Sequence, residues 1–223
     1  MNTETVLILA NGDWGCGTRV RALSADATLV IAADGGWNLA REHRIRVDEV
    51  VGDMDSLSGE AVQALNSDPT LQVIRFPSMK DWSDLELALE RALRREPRRI
   101  DVYGAFGGRL DHTLVNVNLV VLALDAGIRL RLVSDAETLH ALRGGGPVAE
   151  TWWNEDAVGR LVSLIPLTED AVVRTEGLRY PLNDEGLRRA ASRGVSNVIV
   201  GKQARVVVSS GDLIVVESED RDA

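Results

Sequence analysis

Apolar and polar positions alternate in blocks along the first 135 residues of the chain. Six short apolar runs, each typical of a strand buried in a parallel sheet, are separated by loops and by segments with helical spacing. This alternation predicts an α/β domain with a doubly wound, mostly parallel sheet. The predicted strands are residues 6–10, 28–33, 47–51, 71–76, 100–103 and 128–133.

Helical spacing of apolar residues predicts four helices in the same region. One begins at Ser83, because Ser83 and Glu86 form a capping box in which each side chain accepts a hydrogen bond from the other residue's backbone. The other three are predicted at residues 37–43, 58–65 and 114–124.

The pattern changes beyond Asp135, where short strand-like runs are separated by Gly, Pro, Asn and Ser-Gly turns. This spacing predicts a small C-terminal β-sandwich. We therefore divide the chain into an α/β domain, residues 1–136, and a β-sandwich domain, residues 137–223. Its predicted strands are residues 138–142, 160–167, 171–175, 197–200, 204–209 and 212–216, and residues 185–191 are expected to form at most one or two helical turns.

Charge and composition narrow the function. The formal net charge of −9 argues against a nucleic-acid partner and against docking to an anionic membrane. No apolar run is long enough to span a bilayer, and no signal peptide is apparent. A single cysteine, Cys16, excludes an internal disulfide framework and fits a cytoplasmic location, with a packing or loop role for the thiol.

Two acids of the motif Gly52-Asp53-Met54-Asp55-Ser56 directly follow the predicted strand 47–51. Two carboxylates ~4 Å apart repel each other by ~1 kcal/mol in water and by ~4 kcal/mol near a protein surface. A hard divalent cation with oxygen ligands commonly offsets such repulsion. An Asp-rich turn explains the same residues without any ligand. This motif alone does not decide between the two explanations.

The wider set of acids favours the metal site. Parallel strands joined by right-handed crossovers bring their carboxyl ends to one edge of the sheet. Lys80, Arg109 and glycine-rich loops are expected at the same edge, although each acid alone is also explained as a helix cap or turn residue. Carboxylates for Mg²⁺, cations for phosphates and glycines for close approach are what phosphoryl transfer requires, so the residues indicate a Mg²⁺–polyphosphate site and nothing finer. The acids are Asp34, Asp53, Asp55, Asp84, Asp111 and Asp135.

Seven short motifs, in this order and spacing, resemble those of the thiamine pyrophosphokinase family. The first four are Asp34-Gly35-Gly36, Gly52-Asp53-Met54-Asp55-Ser56, Lys80-Asp81-x-Ser83-Asp84 and Gly107-Gly108-Arg109-x-Asp111-His112. The last three are Ser163-Leu164-Ile165-Pro166, Gly177-Leu178-x-Tyr180-Pro181-Leu182 and Ser196-Asn197. The resemblance implies an α/β domain followed by a β-sandwich, and a homodimer with its active site at the subunit interface. It also implies transfer of the diphosphoryl group of ATP to the hydroxyl of thiamine, with Mg²⁺ as cofactor and AMP as product.

The resemblance also implies roles for individual residues. Asp53, Asp55 and Asp84 would bind the metal. The catalytic residues would be Asp55, Asp84, Asp111 and Lys80. The nucleotide would contact Asn11, Gly12, Asp34, Gly35, Lys80, Arg109, His112 and Ser134. Thiamine would contact Ser163, Ser196 and Asn197.

Two positions depart from the family pattern. Ser83 stands where Thr is typical, a change that keeps the capping hydroxyl. Leu161 stands where animal members have a tryptophan that stacks on thiamine. Trp152 and Trp153 lie upstream and could replace it, but packing inside the sandwich explains them equally well.

Three other functions fit the same residues: a diphosphotransferase acting on another alcohol such as a pterin, a non-catalytic nucleotide-sensing module, and a Mg²⁺ phosphohydrolase. Release of AMP from ATP, measured with and without thiamine, is the most informative single test, and incubation of ATP with other candidate acceptors identifies the first alternative. The proton of the thiamine hydroxyl could pass to either Asp84 or Asp111, and the sequence does not choose between them.

Overall fold

A computed structural model describes residues 3–55, 59–77, 81–146 and 150–221 of the chain. The chain forms two compact units, Met1–Asp135 and Ala136–Ala223. The division lies beside the boundary near residue 136 that the change in sequence pattern predicts.

The first unit contains a six-stranded parallel sheet with the strand order β6-β5-β1-β2-β3-β4. Each strand overlaps one of the six predicted apolar runs. The chain adds β2, β3 and β4 on one side of β1 and then returns to add β5 and β6 on the other side. The switch point therefore lies between β1 and β5, and ligands of open α/β sheets bind at the carboxyl ends beside such a point. The strands are β1 (Thr5–Leu9), β2 (Leu29–Ala33), β3 (Glu49–Gly52), β4 (Gln72–Arg75), β5 (Arg99–Tyr103) and β6 (Arg129–Val133).

In the described residues of this unit, six helices connect these strands and cover both faces of the sheet. On one face, side chains of the first three helices pack with alternate residues of β1, such as Leu7 and Leu9. On the other face, Leu85 and Leu89 of the fourth helix lie near Val102 of β5. The helices are α1 (Thr18–Asp26), α2 (Gly36–His43), α3 (Gly59–Ser67), α4 (Asp84–Leu93), α5 (Leu110–Asn118) and α6 (Val120–Asp125).

Helices match the predictions less closely than strands do. The side-chain oxygen of Ser83 accepts a hydrogen bond from the Glu86 N–H at 3.2 Å, which confirms the predicted start of α4. Helix α1 was not predicted, and Val20 is its only buried residue. The single helix predicted at residues 114–124 is two helices, α5 and α6, and the first begins four residues earlier, at Leu110.

The second unit is a sandwich of two antiparallel sheets, with strand orders β12-β9-β14-β7 and β11-β10-β13-β8. Its core is apolar and includes Val162, Val173, Val206 and Val215. The predicted fold class, a doubly wound α/β domain followed by a β-sandwich, is confirmed. The strands are β7 (Glu137–Arg143), β8 (Glu150–Glu155), β9 (Arg160–Pro166), β10 (Asp170–Glu176), β11 (Glu185–Arg188), β12 (Asn197–Val198), β13 (Gln203–Ser210) and β14 (Asp212–Arg221).

Two strands of the sandwich differ from expectation. The prediction of helical turns at residues 185–191 was wrong at its start, because Glu185–Arg188 is a strand that pairs with β10 and buries Leu187 opposite Ala171. Strand β8 was not predicted. Within the described parts of the chain, no helix is both long enough and apolar enough to cross a membrane.

Candidate active site

The loops that follow β1 and β5 are joined by backbone hydrogen bonds at the switch point of the sheet. The Gly12 N–H donates to the Gly104 carbonyl at 2.8 Å, and the Asp13 N–H donates to the Phe106 carbonyl at 2.7 Å. A Cβ at Gly12 would lie 2.1 Å from the Phe106 oxygen, closer than any real side chain can approach. The glycine is therefore required for the two backbones to meet.

Asn11 lies over the turn that follows β2. A Cβ at Gly35 would lie 2.4 Å from the Nδ2 atom of Asn11, and one at Gly36 would lie 2.1 Å from the Leu9 carbonyl oxygen. The structure thus brings together three residues predicted to contact the nucleotide, Asn11, Gly12 and Gly35, because small residues let the loops after β1 and β2 pack closely.

Three carboxylates gather beside these loops. Asp34, Asp53 and Asp55 each offer one oxygen, and these oxygens lie within 4.8 Å of one another. Asp34 follows β2, and its N–H donates to the Val51 carbonyl of β3 at 2.8 Å. The pairing of two neighbouring parallel strands therefore sets the separation between Asp34 and the acids that follow β3.

Asp84 comes close to the same group through Gly52. A Cβ at Gly52 would lie 2.9 Å from the Asp34 Cβ and 3.0 Å from the Asp84 Oδ1 atom. The φ angle of Gly52 is 155°, a value that residues with side chains rarely adopt. Only glycine fits between these two acids. The predicted metal ligands were Asp53, Asp55 and Asp84, and the close group of three contains Asp34 instead, with Asp84 beside it.

The donor set of this group suits a hard divalent cation. All of its donors are carboxylate oxygens, which Mg²⁺ and Ca²⁺ prefer. Asp34 is buried whereas Asp55 is exposed, so the group spans from the protein interior to solvent. Negative charges this close repel each other strongly unless a cation is present between them. The residues present therefore fit a bound Mg²⁺.

Arg109, Asp111 and His112 come together at the start of α5. Both Nε and Nη2 of Arg109 donate to the Asp111 carboxylate, with Nε 3.1 Å from Oδ1. The backbone N–H of His112 donates to the same oxygen at 3.0 Å. The hydrogen bond from Arg109 lowers the pKa of Asp111 below its ordinary value. All three residues are exposed, so this group faces solvent at the edge predicted to hold phosphates.

One further nucleotide prediction, Ser134, is linked to α1. Ser134 follows β6, and its carbonyl accepts a hydrogen bond from the Arg19 side chain at 2.8 Å, which links it to α1. Arg19 was not among the predicted site residues. Lys80, predicted to bind phosphate and to take part in catalysis, lies outside the described residues.

The three residues predicted to contact thiamine are neighbours in the second unit. The Ser196 N–H donates to the Ser163 side-chain oxygen at 3.0 Å, and Asn197 pairs with Val162 in the sheet. The side chain of Asn197 also makes two hydrogen bonds to the backbone of Tyr180, at 3.0 and 2.7 Å. Ser163, Ser196, Asn197 and Tyr180 therefore form one polar cluster, which we call the Ser–Asn cluster; Asn197 is buried, and Ser196 and Tyr180 are exposed.

The aromatic residue on this cluster is Tyr180, which the sequence analysis quoted within a motif but did not single out. Its side chain is exposed, with a relative accessibility of 65%. Trp152 is buried in the sandwich core, as its packing interpretation predicts. Trp153 is exposed but lies on β8, in the other sheet. Both tryptophans belong to β8, which is not part of the sheet that carries the Ser–Asn cluster.

The fold and the two groups of polar residues define a class of protein: a doubly wound α/β unit with a candidate divalent-metal site, followed by a β-sandwich with a polar cluster. Comparisons with known families are more specific. Residues 20–132 match the family model described as thiamin pyrophosphokinase, catalytic domain. Residues 153–215 match the model described as thiamin pyrophosphokinase, vitamin B1 binding domain. The chain belongs to the thiamin pyrophosphokinase family, which confirms the resemblance seen in its motifs.

Individual relatives cover nearly the whole chain. Thiamine pyrophosphokinase of Bacillus subtilis (strain 168) is 29% identical over 219 residues, which span 97% of this chain and 100% of that protein. The crystal structure of thiamine pyrophosphokinase from Bacillus subtilis matches with a TM-score of 0.85 at 27% identity, covering 97% of this chain and 100% of that chain. The thiamin pyrophosphokinase from Candida albicans shares the fold, with a TM-score of 0.83 at 18% identity, covering 98% of this chain and 90% of that chain.

Proposed function

We propose that this protein transfers the diphosphoryl group of ATP to the hydroxyl of thiamine, forming thiamine diphosphate and AMP. Membership of the family across both units supports the reaction and the acceptor. The observation that carries the proposal is the group of three carboxylates at the carboxyl edge of the parallel sheet. Such a group can hold a metal beside a polyphosphate, which is what phosphoryl transfer requires.

Asp34, Asp53 and Asp55, with Asp84 beside them, would hold Mg²⁺ in this proposal. The ion would supply positive charge that offsets the charge on the transferring phosphates. The protein itself would position the reactants. The closely packed loops that carry Asn11, Gly12 and Gly35 would bind the nucleotide. Arg109 and Lys80 would bind phosphate oxygens. Arg109 is exposed and can leave Asp111 for a phosphate at little cost, because exposed ion pairs contribute little stability.

The proposed step is an in-line displacement at the β-phosphorus of ATP. The thiamine oxygen forms a bond to this phosphorus, the bond from the phosphorus to the oxygen shared with the α-phosphate breaks, and AMP leaves with that oxygen. The hydroxyl proton passes to a carboxylate. The two candidates are Asp84, which lies beside the carboxylate group, and Asp111, whose carboxylate is released when Arg109 moves to a phosphate. Holding the reactants in line is expected to provide most of the rate.

The Ser–Asn cluster is our proposed contact surface for thiamine. Its two serine hydroxyls can hydrogen-bond the pyrimidine ring, and the Tyr180 ring can stack against the positively charged thiazolium. We further propose a homodimer in which the partner completes the active site, as the family resemblance implies. The exposed leucines of α5 support an apolar contact of this kind. A cytoplasmic location completes the proposal, since ATP is abundant there.

The test is production of AMP from ATP and Mg²⁺ by the purified protein, with and without thiamine. We expect AMP and thiamine diphosphate in equal amounts, and only when thiamine is present. AMP formed with a pterin alcohol but not with thiamine would establish a different diphosphotransferase. Turnover without any acceptor would establish a phosphohydrolase, and ATP binding without AMP under every condition would establish a sensor.

A further inference from the structure

The carboxylate of Asp135, directly after β6, is the hub of a hydrogen-bond network. Its Oδ2 atom accepts from the backbone N–H of Cys16 at 2.9 Å, from the Gly17 N–H at 3.1 Å and from the Cys16 thiol at 2.8 Å. Its Oδ1 atom accepts from the Arg19 N–H at 3.3 Å and from the Tyr103 hydroxyl at 2.6 Å. Five donors therefore converge on one side chain that lies far from most of them in sequence.

This network supplies α1 with a cap that its own sequence lacks. The N-cap residue of α1 is Gly17, which has no side-chain capping bond, and the first turn of the helix contains no acid. The first N–H groups of a helix need partners, and a carboxylate near them is stabilising because the helix dipole is positive there. Asp135, which follows β6, provides that carboxylate.

The same contacts fix the far end of the loop formed by residues 11–17. The near end is already held, because Gly12 and Asp13 bond to the loop that follows β5. A Cβ at Gly15 would lie 3.0 Å from the Asp135 Oδ2 atom, so the loop passes close over the carboxylate. Asn11 and Gly12, the proposed nucleotide contacts, are thus part of a loop that is anchored at both ends.

Asp135 is fully engaged by these donors. Burial on its own raises the pKa of Asp135, but the hydrogen bonds from Cys16, Tyr103 and the backbone outweigh it and lower the pKa to about 2. Burial and the bond to Asp135 raise the pKa of Tyr103, so its hydroxyl remains a donor. Asp135 is not part of the candidate metal group, which consists of Asp34, Asp53 and Asp55.

We propose that Asp135 is a positioning residue for nucleotide binding, whose carboxylate holds the loop of residues 11–17 and the start of α1 in the conformation that receives ATP. This inference rests on the proposed function for the placement of ATP at Asn11 and Gly12. In this proposal Asp135 acts through the loop and not by direct contact with the substrate or a metal.

The first test is the variant Asp135→Asn, which keeps the size of the side chain but replaces one accepting oxygen with an NH₂ group. We expect the Kd for ATP, measured by calorimetry, to rise about tenfold, as expected for loss of hydrogen bonds to a charged group. The KM for thiamine should stay unchanged, and Asp135→Glu should recover part of the ATP affinity. The matched control is Asp101→Asn, because Asp101 is a buried acid of β5 that pairs with Arg99 and Arg131. It should lower stability without changing the Kd for ATP.

A second measurement needs no substrate. Cys16 is the only cysteine in the chain, so the rate of its reaction with a disulfide reagent reports on the loop alone. In the wild type its thiol is held against Asp135, and we expect Asp135→Asn to speed the reaction severalfold while Asp101→Asn leaves it unchanged.

The outcomes separate this inference from the proposed function. An unchanged thiol rate in Asp135→Asn overturns the anchoring of the loop, whether or not the protein uses thiamine. A faster thiol rate with an unchanged Kd for ATP overturns the role in nucleotide binding. Failure of the wild type to form AMP with thiamine would count against the proposed function, whereas the ATP affinities would still decide the role of Asp135.

Discussion

Met54 separates the two acids of the motif after β3 and decides where they point. Its φ angle is 68°, and its side chain is buried, so the backbone turns sharply between Asp53 and Asp55. The Asp55 N–H donates to the Asp53 Oδ1 atom at 3.1 Å, which stabilises the turn. The alternative interpretation of the motif as an Asp-rich turn is therefore correct for its backbone. The same turn also aims two carboxylates toward Asp34, so the turn and the candidate metal site coexist.

The metal assignment is tested by Asp55→Asn, which removes one negative charge and one metal-binding oxygen while keeping the shape of the side chain. We expect AMP formation to fall at least about a hundredfold, because loss of a direct ligand should cost no less than loss of an outer-shell partner. The circular dichroism spectrum should not change. The control is Asp68→Asn, a turn acid that bonds to Thr70. Near-normal activity in Asp55→Asn would refute the role of Asp55 in binding metal.

Tyr180 carries the second prediction at this scale. Replacing it with alanine should raise the KM for thiamine about fivefold to tenfold and leave the KM for ATP unchanged, because stacking of a cation on an aromatic ring contributes ~1 kcal/mol. Tyr180→Phe should keep most of the affinity. Trp153→Ala is the matched control, since Trp153 is also exposed, at 57%, but lies on the other sheet. A larger effect from Trp153→Ala than from Tyr180→Ala would assign the stacking role to the tryptophan instead.

Secondary-structure elements were predictable where the information is local and were missed where it is not. The six parallel strands are continuous apolar runs, and α4 has its capping box in its own sequence. Helix α1 was missed because its cap comes from Asp135, 116 to 119 residues away. Strand β11 was mistaken for helical turns because it has one buried residue, Leu187, and therefore no alternating apolar pattern. It is a strand because it pairs with β10.

The candidate site follows the same rule. The spacing of Asp53 and Asp55 within one turn was visible in the sequence, and the sheet edge that carries Asp34 followed from the strand pattern. The entry of Asp34 into the closest group depends on the register of β2 beside β3, in which Ala33 pairs with Val51. The attachment of Tyr180 to Asn197 depends on side-chain hydrogen bonds across the sandwich sheet, which no short motif encodes.

The cap of α4 gives a prediction about stability. Ser83→Ala removes the side-chain oxygen that accepts from Glu86, and we expect the free energy of unfolding to fall by about 1 kcal/mol. Ser83→Thr, which restores the residue typical of the family, should keep the wild-type value because the hydroxyl remains. Urea denaturation followed by circular dichroism measures both. Equal losses in the two variants would show that the hydroxyl is not what stabilises the start of α4.

In the molecule as a whole, helix α5 has an unusually exposed apolar surface. None of its residues is buried, although Leu110 and Leu114 lie four positions apart on one face and are exposed at 71% and 57%. Val115 adjoins them and is also exposed. Contiguous exposed apolar residues often mark a surface that contacts another protein. Since the family resemblance implies a homodimer, we expect a second copy of the chain to cover this face.

Leu114→Glu tests that expectation, because a carboxylate cannot be buried against an apolar partner without a large cost. Light scattering should show the wild type at twice the mass of one chain and the variant largely at the mass of one chain at micromolar concentration. Gln63→Glu on α3 adds the same charge at an exposed polar position and should remain dimeric. If the partner completes the active site, AMP formation per chain in the variant should rise with protein concentration. A wild type that is monomeric and fully active would refute both the dimer and the shared site, whereas a dimeric Leu114→Glu would place the interface on another surface.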